Sequence, residues 1–272
     1  MKKKINSLKR NAIYCNLLDG VQPLFKGSSK IGGRPYLPKE IEWFYANKGE
    51  NIYPLAFLAQ INLQELVQYD KDNVLPTNGI LYFFYDFYEE TIGCFPQDKE
   101  HFKVYFYEGD MANLEEKIFP SKLQEDFCIP EFALKFSNQY EVPMCEEFNE
   151  ITNMKMGYDE YNYAVEEIGL AHDPEQEIFK LLGYADLCQG SMLVKCEMVS
   201  DGISCGNFEH ISLRDNYVDK ASDWVLLFQL DTISNSEFEL MFGNAGRLYF
   251  YIKKEDLKKR NFENCWFMTQ CY

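Results

Sequence analysis

Two stretches of the chain show the same order of apolar and polar positions. In the C-terminal part, the apolar run WVLLFQLDT is followed by a polar turn and by the run GRLYFYIK. In the N-terminal part, PLAFLAQINL is followed by a polar connection and by GILYFFYD. Short apolar runs rich in Leu, Val, Phe and Tyr and bounded by turn residues are typical of buried or half-buried strands. The shared pieces Q-[IL]-[ND] and G-x-L-Y-F predict a duplicated unit.

The duplication defines the expected domain organisation. Its two copies fall within residues 30–110 and 180–272, and we expect them to pack around a pseudo-two-fold axis and share one core. The region between them, about 110–175, is acidic and aromatic, and its prolines exclude long helices. The pattern therefore predicts a single α+β domain that is rich in β structure, with mixed or antiparallel sheets flanked by short helices.

Other elements follow from local spacing. Apolar residues at helical intervals predict a helix over residues 2–18 that ends at Asp19–Gly20. Glycines and prolines predict a loop over residues 27–38. Asn62, with Glu65 three residues on, is predicted to form a capping pair for a short helix, and the run MLVKCEMVS over residues 192–200 is predicted to be a strand.

Charge and cysteine usage narrow the functional classes. The formal net charge is −16, which opposes binding to nucleic acid and to anionic membranes and attracts a cationic partner. Simple solubility is the alternative reading of that charge. Nine scattered cysteines without a CxxC pair favour free thiols in a reducing cytoplasm over a zinc site. No signal peptide, membrane span or cofactor is predicted.

Longer blocks of sequence carry a family resemblance. DWVLLFQLDT, FGNAGRLYFYIKKEDL and FMTQCY in the C-terminal part, with KIGGRPYLP at Lys30–Pro38 and LLGYADLCQG at Leu181–Gly190, resemble the YwqG-like proteins, a bacterial family of unknown function. The chain departs from the family at Phe44, where a Pro is usual, and at Phe179, where a His is usual. The resemblance covers nearly the whole chain and implies a fold but no particular activity.

Two turns hold the candidate binding residues. Gly32, Gly33 and Arg34 present backbone N–H groups and a guanidinium to an anion, or else form a tight turn with a structural salt bridge. Asn244 and Arg247 flank the second turn. There the arginine binds a carboxylate or phosphate together with Arg34, or else pairs internally with an aspartate, either Asp223 or Asp231.

Several further residues are candidates for binding or structural roles. Trp224, at the start of a repeat strand, joins the candidate ligand or partner residues. The buried amides Gln60 and Gln229 are predicted to be structural hydrogen-bonding residues. The alternating aromatic residues of the repeat strands serve either as a core or as an exposed surface for a protein partner. These are Tyr82, Phe83, Tyr85, Tyr249, Phe250 and Tyr251.

No catalytic motif appears in the sequence. The three histidines, His101, His172 and His210, stand in unrelated contexts, and the loose set Cys196, Cys205 and His210 lacks metal-site spacing. The leading expectation is therefore a non-catalytic cytoplasmic interaction protein whose acidic surface engages a basic protein partner, for example in an immunity-type role. The alternative is a protein or enzyme that binds a small molecule or anion in a cleft between the duplicated halves.

Overall fold

The structure is a computed structural model and describes residues 1–18, 24–48, 51–89, 91–170, 178–206, 208–234 and 238–272. In chain order the strands are β1 Arg10–Leu17, β2 Lys30–Ile31, β3 Tyr36–Pro38, β4 Tyr45–Lys48, β5 Asn51–Pro54, β6 Ala56–Asn62, β7 Ile80–Tyr85, β8 Phe102–Tyr107, β9 Leu114–Glu116, β10 Phe132–Glu141, β11 Lys180–Leu182, β12 Trp224–Asp231, β13 Ile233–Ser234, β14 Glu239–Leu240, β15 Arg247–Lys253 and β16 Trp266–Gln270.

Short helices connect these strands. The α-helices are α1 Lys2–Asn6, α2 Leu63–Leu66, α3 Cys145–Thr152, α4 Tyr158–Glu167, α5 Leu193–Ser200 and α6 Lys254–Lys259. The 3-10 helices are Pro96–His101, Met111–Asn113, Glu125–Phe127, Phe208–Asn216, Val218–Asp223 and Phe262–Asn264. None of the helices within these described ranges is long and apolar enough to cross a membrane.

A ten-stranded antiparallel sheet dominates the fold. Its strand order is β16-β15-β12-β11-β1-β10-β2-β6-β7-β8. The strands β1 and β10 form the central pair and divide the sheet into two halves. We call β10, β2, β6, β7 and β8 half I, and β1, β11, β12, β15 and β16 half II. The predicted single α+β domain with antiparallel pairing is confirmed. The ranges 30–110 and 180–272 stay a prediction, and both central strands lie outside them.

The two halves use corresponding residues in corresponding pairs. In half I, Lys30 of β2 pairs with Gln60 of β6, and in half II Lys180 of β11 pairs with Gln229 of β12. Both longer strands carry an irregularity in register two residues before the glutamine, at Leu58 where β6 pairs with β7 and at Leu227 where β12 pairs with β15. Such irregularities bend a strand locally, so both halves of the sheet curve at the same place.

The amide of Gln60 shows how a repeat glutamine stabilises its half. It is fully buried, donates to the carbonyl of Ser28 at 2.7 Å and accepts from the N–H of Tyr36 at 2.9 Å. The hydroxyl of Tyr82, on the next strand, donates to the carbonyl of the same Tyr36 at 2.6 Å. A buried amide that satisfies two backbone groups ties a loop to the sheet.

Gln229 makes the same contacts in half II. It donates to the carbonyl of Ile178 at 3.1 Å and accepts from the N–H of Asp186 at 3.0 Å. The hydroxyl of Tyr249 donates to the carbonyl of Asp186 at 2.7 Å. The predicted structural role of both glutamines is therefore confirmed by equivalent hydrogen bonds.

The sheet curls so that its two halves share one core. The ring centroid of Phe83 in β7 lies 4.6 Å from that of Phe228 in β12 and 5.0 Å from that of Phe250 in β15. At the two edges of the sheet, the ring centroids of Phe102 in β8 and Phe267 in β16 are 4.9 Å apart. Residues from both halves thus pack inside one curved sheet, where apolar burial supplies the main driving force for folding.

The outer face of half I is covered as well. Tyr82 and Phe84 point away from the shared core into a second apolar cluster that includes Trp43, Leu37 and Leu114. The six aromatic residues proposed for a partner surface are all buried, because both faces of their strands are covered. The prediction that they form an exposed surface is wrong, and the alternative, a core role, is confirmed.

Three local predictions are wrong. Residues 10–17 form β1 and not the second part of a helix, because β1 pairs with β10 on one side and β11 on the other. The predicted helix end at Asp19–Gly20 lies outside the described residues. Residues 193–200 form a helix, since a short apolar run fits both periodicities. Within the predicted loop 27–38, the short strands β2 and β3 form.

The predicted cap of α2 is present. The side chain of Asn62 accepts from the N–H of Gln64 at 3.1 Å. Glu65 does not close a capping box, because its carboxylate accepts from the N–H of Ser29 at 3.2 Å. Thus the sequence located this helix start correctly, and a tertiary contact redirected the second member of the pair.

Candidate functional site

The first predicted turn has its backbone donors engaged within the protein. The N–H of Gly32 donates to the carbonyl of Leu58 and that of Gly33 to the carbonyl of Ile129, each at 2.8 Å. Both glycines have positive φ, 62° and 67°, which explains why glycine stands here. These donors tie β2 to its neighbours.

The two predicted arginines have different environments. Arg34 is exposed and its Nη1 lies 3.5 Å from a carboxylate oxygen of Glu116. Arg247 is buried; its Nε donates to Asp231 at 2.7 Å and its Nη1 to the carbonyl of Asp186 at 3.1 Å. Asp231, one of the two internal partners proposed for Arg247, is thus observed as its partner. Arg34 and Arg247 lie in different halves and share no partner among these contacts.

Trp224 and Asn244 complete the predicted set. Trp224 is buried, and its indole N–H donates to the carboxylate of Glu197 at 2.8 Å. Asn244 is exposed in the turn before β15, and its side chain lies 3.5 Å from the carbonyl of Tyr272. The contacts of these residues are internal to the protein. A ligand-binding or partner-binding role for the six predicted residues stays a prediction.

A network of buried charges surrounds Lys180. Its ammonium lies 3.0 Å from Glu141 and 2.7 Å from Asp186, and all three side chains are almost fully buried. Burial raises the pKa of the Glu141 carboxyl. Burial opposes the charge of Lys180 also, but Asp186 and Glu141 raise the pKa of the lysine, so it stays protonated.

Glu147 is an unusual member of the same interior. It is only 2% exposed, and its Oε2 has no hydrogen-bond partner among the described residues. Burial raises its pKa to about 8, although the charge of Arg10 acts in the opposite direction. A neutral carboxyl is therefore the favoured form in the folded protein near neutral pH.

A cavity lies between α6 and the start of β1. It has a volume of about 480 Å³. Three cationic side chains line it: Arg10, Lys254 and Lys258. Its apolar lining consists of Val74 after α2, Leu182 of β11, Val225 and Leu226 of β12, and Leu257 of α6. We call this the cationic cavity.

Arg10 and Lys254 form no ion pair with any of the described residues. The guanidinium of Arg10 lies over the ring of Tyr184 at 4.4 Å, and the ammonium of Lys254 donates to the carbonyl of Ser222 at 2.5 Å. Burial, followed by the charge of Arg10, lowers the pKa of Lys254. In the part of the chain that the structure describes, no carboxylate lies within 4.0 Å of either cation. Asp72 also lines the cavity, where it accepts from the N–H of Asn11 at 2.8 Å.

Sequence reasoning missed this arrangement. Arg10 belongs to a stretch that was predicted to be helical, and Lys254 begins a helix at the other end of the chain. Arg10 stands in no motif, and Lys254 belongs to the block FGNAGRLYFYIKKEDL, which carried the family resemblance and no prediction of binding. The two come together because β1 lies at the centre of the sheet and α6, which directly follows β15, lies beside the start of β1. The run KK at the start of α6 was the sole local signal.

A second cavity of about 570 Å³ lies between the two halves. Side chains from the segment after β7 and from α5 and β16 line it, including Cys94, Lys195, Cys205, Gln270 and Cys271. The N–H of Cys205 donates to the carbonyl of Cys94 at 2.9 Å across this boundary. We call this the thiol cavity.

His101 is the histidine whose side chain lies within the described residues, and it lines neither cavity. His101 places its Nδ1 2.8 Å from the buried carboxylate of Asp86, and so it orients a turn before β8. His172 lies outside the described residues, as does the side chain of His210. Over the described ranges, no group of three or more His, Cys, Asp or Glu side chains has an arrangement that holds a metal ion.

Comparison with known families agrees with the resemblance seen in the sequence. The family model described as "Domain of unknown function (DUF1963)" matches residues 29–271, which is nearly the whole chain. No curated protein matches the chain. The match includes the glycine turn after β2 and the strands β12 and β15, which carry the resemblance to YwqG-like proteins. The chain therefore belongs to the DUF1963 family, the family of the YwqG-like proteins.

Proposed function

We propose that this protein is a non-catalytic binding protein and that its ligand is a small organic anion held in the cationic cavity. The observation that carries this proposal is the neighbouring pair of Arg10 and Lys254. Both cations line a cavity with apolar walls, and neither has an ion-pair partner among the described residues. A carboxylate or phosphate group on the ligand supplies the missing negative charge.

The size and lining of the cavity support a small molecule. Its volume of about 480 Å³ lies within the range of roughly 300–1,000 Å³ that is typical of ligand pockets. Apolar walls together with a few cationic side chains favour an amphipathic ligand. We therefore expect an apolar body against Leu182, Val225 and Leu226 and an anionic group beside Arg10 and Lys254.

Electrostatics make this position distinctive in the molecule. The chain as a whole carries a formal charge of −16, so an anion is repelled by most of its surface. Two cations held near each other repel, and the lowered pKa of Lys254 reflects burial together with this repulsion. A bound anion removes that repulsion and favours the protonated lysine. Anion binding is therefore expected to raise the stability of the folded protein.

A thermal-shift screen tests the proposal directly. The purified protein is heated with a panel of aliphatic and aromatic carboxylates and phosphate monoesters, and the Tm of each variant is compared with its own ligand-free value. The change Arg10→Gln is expected to abolish the upward shift of a hit, because it removes the charge and keeps much of the volume. Arg34→Gln is the matched control, since Arg34 is an exposed arginine on the other half.

The outcomes separate clearly. Loss of the shift in the Arg10 variant with retention in the Arg34 variant supports the cationic cavity. A shift that both variants keep contradicts the proposal. If Arg34→Gln abolishes it and Arg10→Gln does not, the ligand binds at the turn predicted from the sequence.

A basic protein partner is a second candidate, and one feature of α4 favours it. Tyr158 and Tyr163 are 58% and 64% exposed on this helix, beside the exposed acids Asp159 and Glu160. Exposed tyrosines among carboxylates suit a cationic surface, and an immunity-type role is one form of such binding. A pull-down with Tyr163→Ser, and with Tyr272→Ser as the exposed control, tests it. The candidate requires that Tyr163→Ser fails to capture a basic protein that the wild type and Tyr272→Ser both capture.

A further inference from the structure

The thiol cavity brings two cysteines from different halves into contact. Cys94 lies between β7 and the 3-10 helix 96–101, and Cys205 follows α5. The N–H of Cys205 donates to the carbonyl of Cys94 at 2.9 Å, and the hydroxyl of Ser204 donates to the same oxygen at 3.3 Å. This hydrogen bond limits the separation of the two Cα atoms to about 7 Å or less, because only the N–Cα bond, the 2.9 Å hydrogen bond and the carbonyl group lie between them. Disulfides span Cα distances of roughly 4.4–6.8 Å, so the two backbones are close enough for a bond.

The two thiols are chemically different. Interaction with the Cys205 side chain, helped by the ammonium of Lys195, lowers the pKa of Cys94 to about 7 even though burial and Asp98 oppose the change. The same interaction raises the pKa of Cys205. Cys94 is thus the better nucleophile near neutral pH, and Cys205 keeps its proton until a second step.

Access separates this pair from other cysteines. Cys94 and Cys205 are partly exposed and line a cavity of about 570 Å³. Cys15, Cys145, Cys196 and Cys265 are buried, and burial raises the pKa of each thiol. A small reagent therefore reaches the pair through the cavity, while the four interior thiols are protonated and enclosed.

We propose that Cys94 and Cys205 form a dithiol site that reacts with low-molecular-weight disulfides and closes to an internal disulfide between the two halves. The Cys94 thiolate attacks one sulfur of the small disulfide, forms a mixed disulfide and releases one small thiolate. Cys205 transfers its proton to that thiolate or to water and attacks the Cys94 sulfur, which releases the second small thiolate. Two protein thiols are oxidised and one small disulfide is reduced to two thiols.

The internal disulfide changes how the two halves are connected. It joins the segment after β7 in half I to the segment after α5, beside half II, at the wall of the thiol cavity. The small disulfide enters through the same cavity. This site is separate from the cationic cavity, so the two proposals stand or fall independently.

Oxidised glutathione serves as the probe for this site. The full-length protein is incubated with it at pH 7, the remaining thiols are alkylated, and the intact protein and its non-reduced peptides are analysed by mass spectrometry. We expect two of the nine thiols to become inaccessible to alkylation and a single cross-linked peptide to contain Cys94 and Cys205. Dithiothreitol is expected to restore both.

Single variants test the order of the two steps. Cys205→Ser is expected to stop the reaction at a stable glutathione adduct on Cys94, because no second thiol follows. Cys94→Ser is expected to lose both the adduct and the cross-link, while Cys271→Ser, which changes another cysteine of the same cavity, keeps the cross-link. If Cys205→Ser gains no glutathione adduct on Cys94, the proposal is overturned. A wild-type cross-link that joins a different pair also overturns it.

Discussion

Two lysines at equivalent positions allow a sharp test of how the buried charges act. Lys30 and Lys180 occupy the same place in the two halves, and each pairs with a repeat glutamine on the next strand. Both are at most 1% exposed. Their carboxylate partners differ: Glu141 and Asp186 are 8% and 6% exposed at the side chain, whereas Glu131, the partner of Lys30, is 44% exposed.

The exposure of the partner sets the expected cost of removing each lysine. Lys180→Met leaves two carboxylates buried without their cation, and breaking a buried pair in this way costs about 3–5 kcal/mol. Lys30→Met leaves Glu131 in contact with water and removes one hydrogen bond to the carbonyl of Arg34, which costs about 1 kcal/mol. The free energy of unfolding should therefore differ between the variants by about 2 kcal/mol or more.

Urea denaturation at pH 7, with unfolding followed by far-UV circular dichroism, measures this difference. We expect a much lower midpoint for Lys180→Met than for Lys30→Met, and a smaller gap at pH 5, where protonation neutralises the carboxylates that lost their partner. Equal losses in the two variants, or a larger loss for Lys30→Met, would refute the argument that burial of the partner determines the cost.

Two further predictions concern the same interior. Glu147→Gln should match the wild type in stability near pH 4.5 and exceed it at pH 8.5. The pKa of Glu147 is raised from 4.5 to about 8 in the folded protein, so the wild type loses free energy of unfolding as pH rises between those values, at about 1.4 kcal/mol per pH unit. The exposed Glu146→Gln is the control, and an unchanged pH profile for Glu147→Gln contradicts this prediction. Gly183→Ala should lower the free energy of unfolding by at least about 1 kcal/mol, since φ is 66° there and the new Cβ meets Glu141. Gly190→Ala, where a Cβ meets nothing within 4 Å, should be nearly neutral in the same urea assay.

The sequence predicted the parts of the fold that depend on local pattern. The strands β6, β7, β12 and β15 were found because each is an apolar run bounded by turn residues. The sequence indicates that Gln60 corresponds to Gln229 because each ends an apolar strand of the repeated pattern. In the structure, the two side chains make equivalent hydrogen bonds to backbone carbonyls.

The candidate site was much less predictable. Gly32 and Gly33 have the backbone conformation of a turn, as their residue type indicated, but their N–H groups bind carbonyls of distant segments. The partner of Arg247 was narrowed to two aspartates, and only the pairing of β12 with β15 selects Asp231. Residue type and local spacing contain no information on which distant groups face each other.

The sequence by itself determined the family, the α+β class, the repeated strands and the strongly acidic charge, because each depends on composition or on short-range order along the chain. Only the tertiary structure decided that residues 10–17 become the central strand β1, since its stability comes from neighbours on both sides and not from local propensity. The same long-range pairing brings Arg10 to Lys254 and Cys94 to Cys205. Their chemistry arises from proximity in space, and residues so far apart in sequence leave no local pattern.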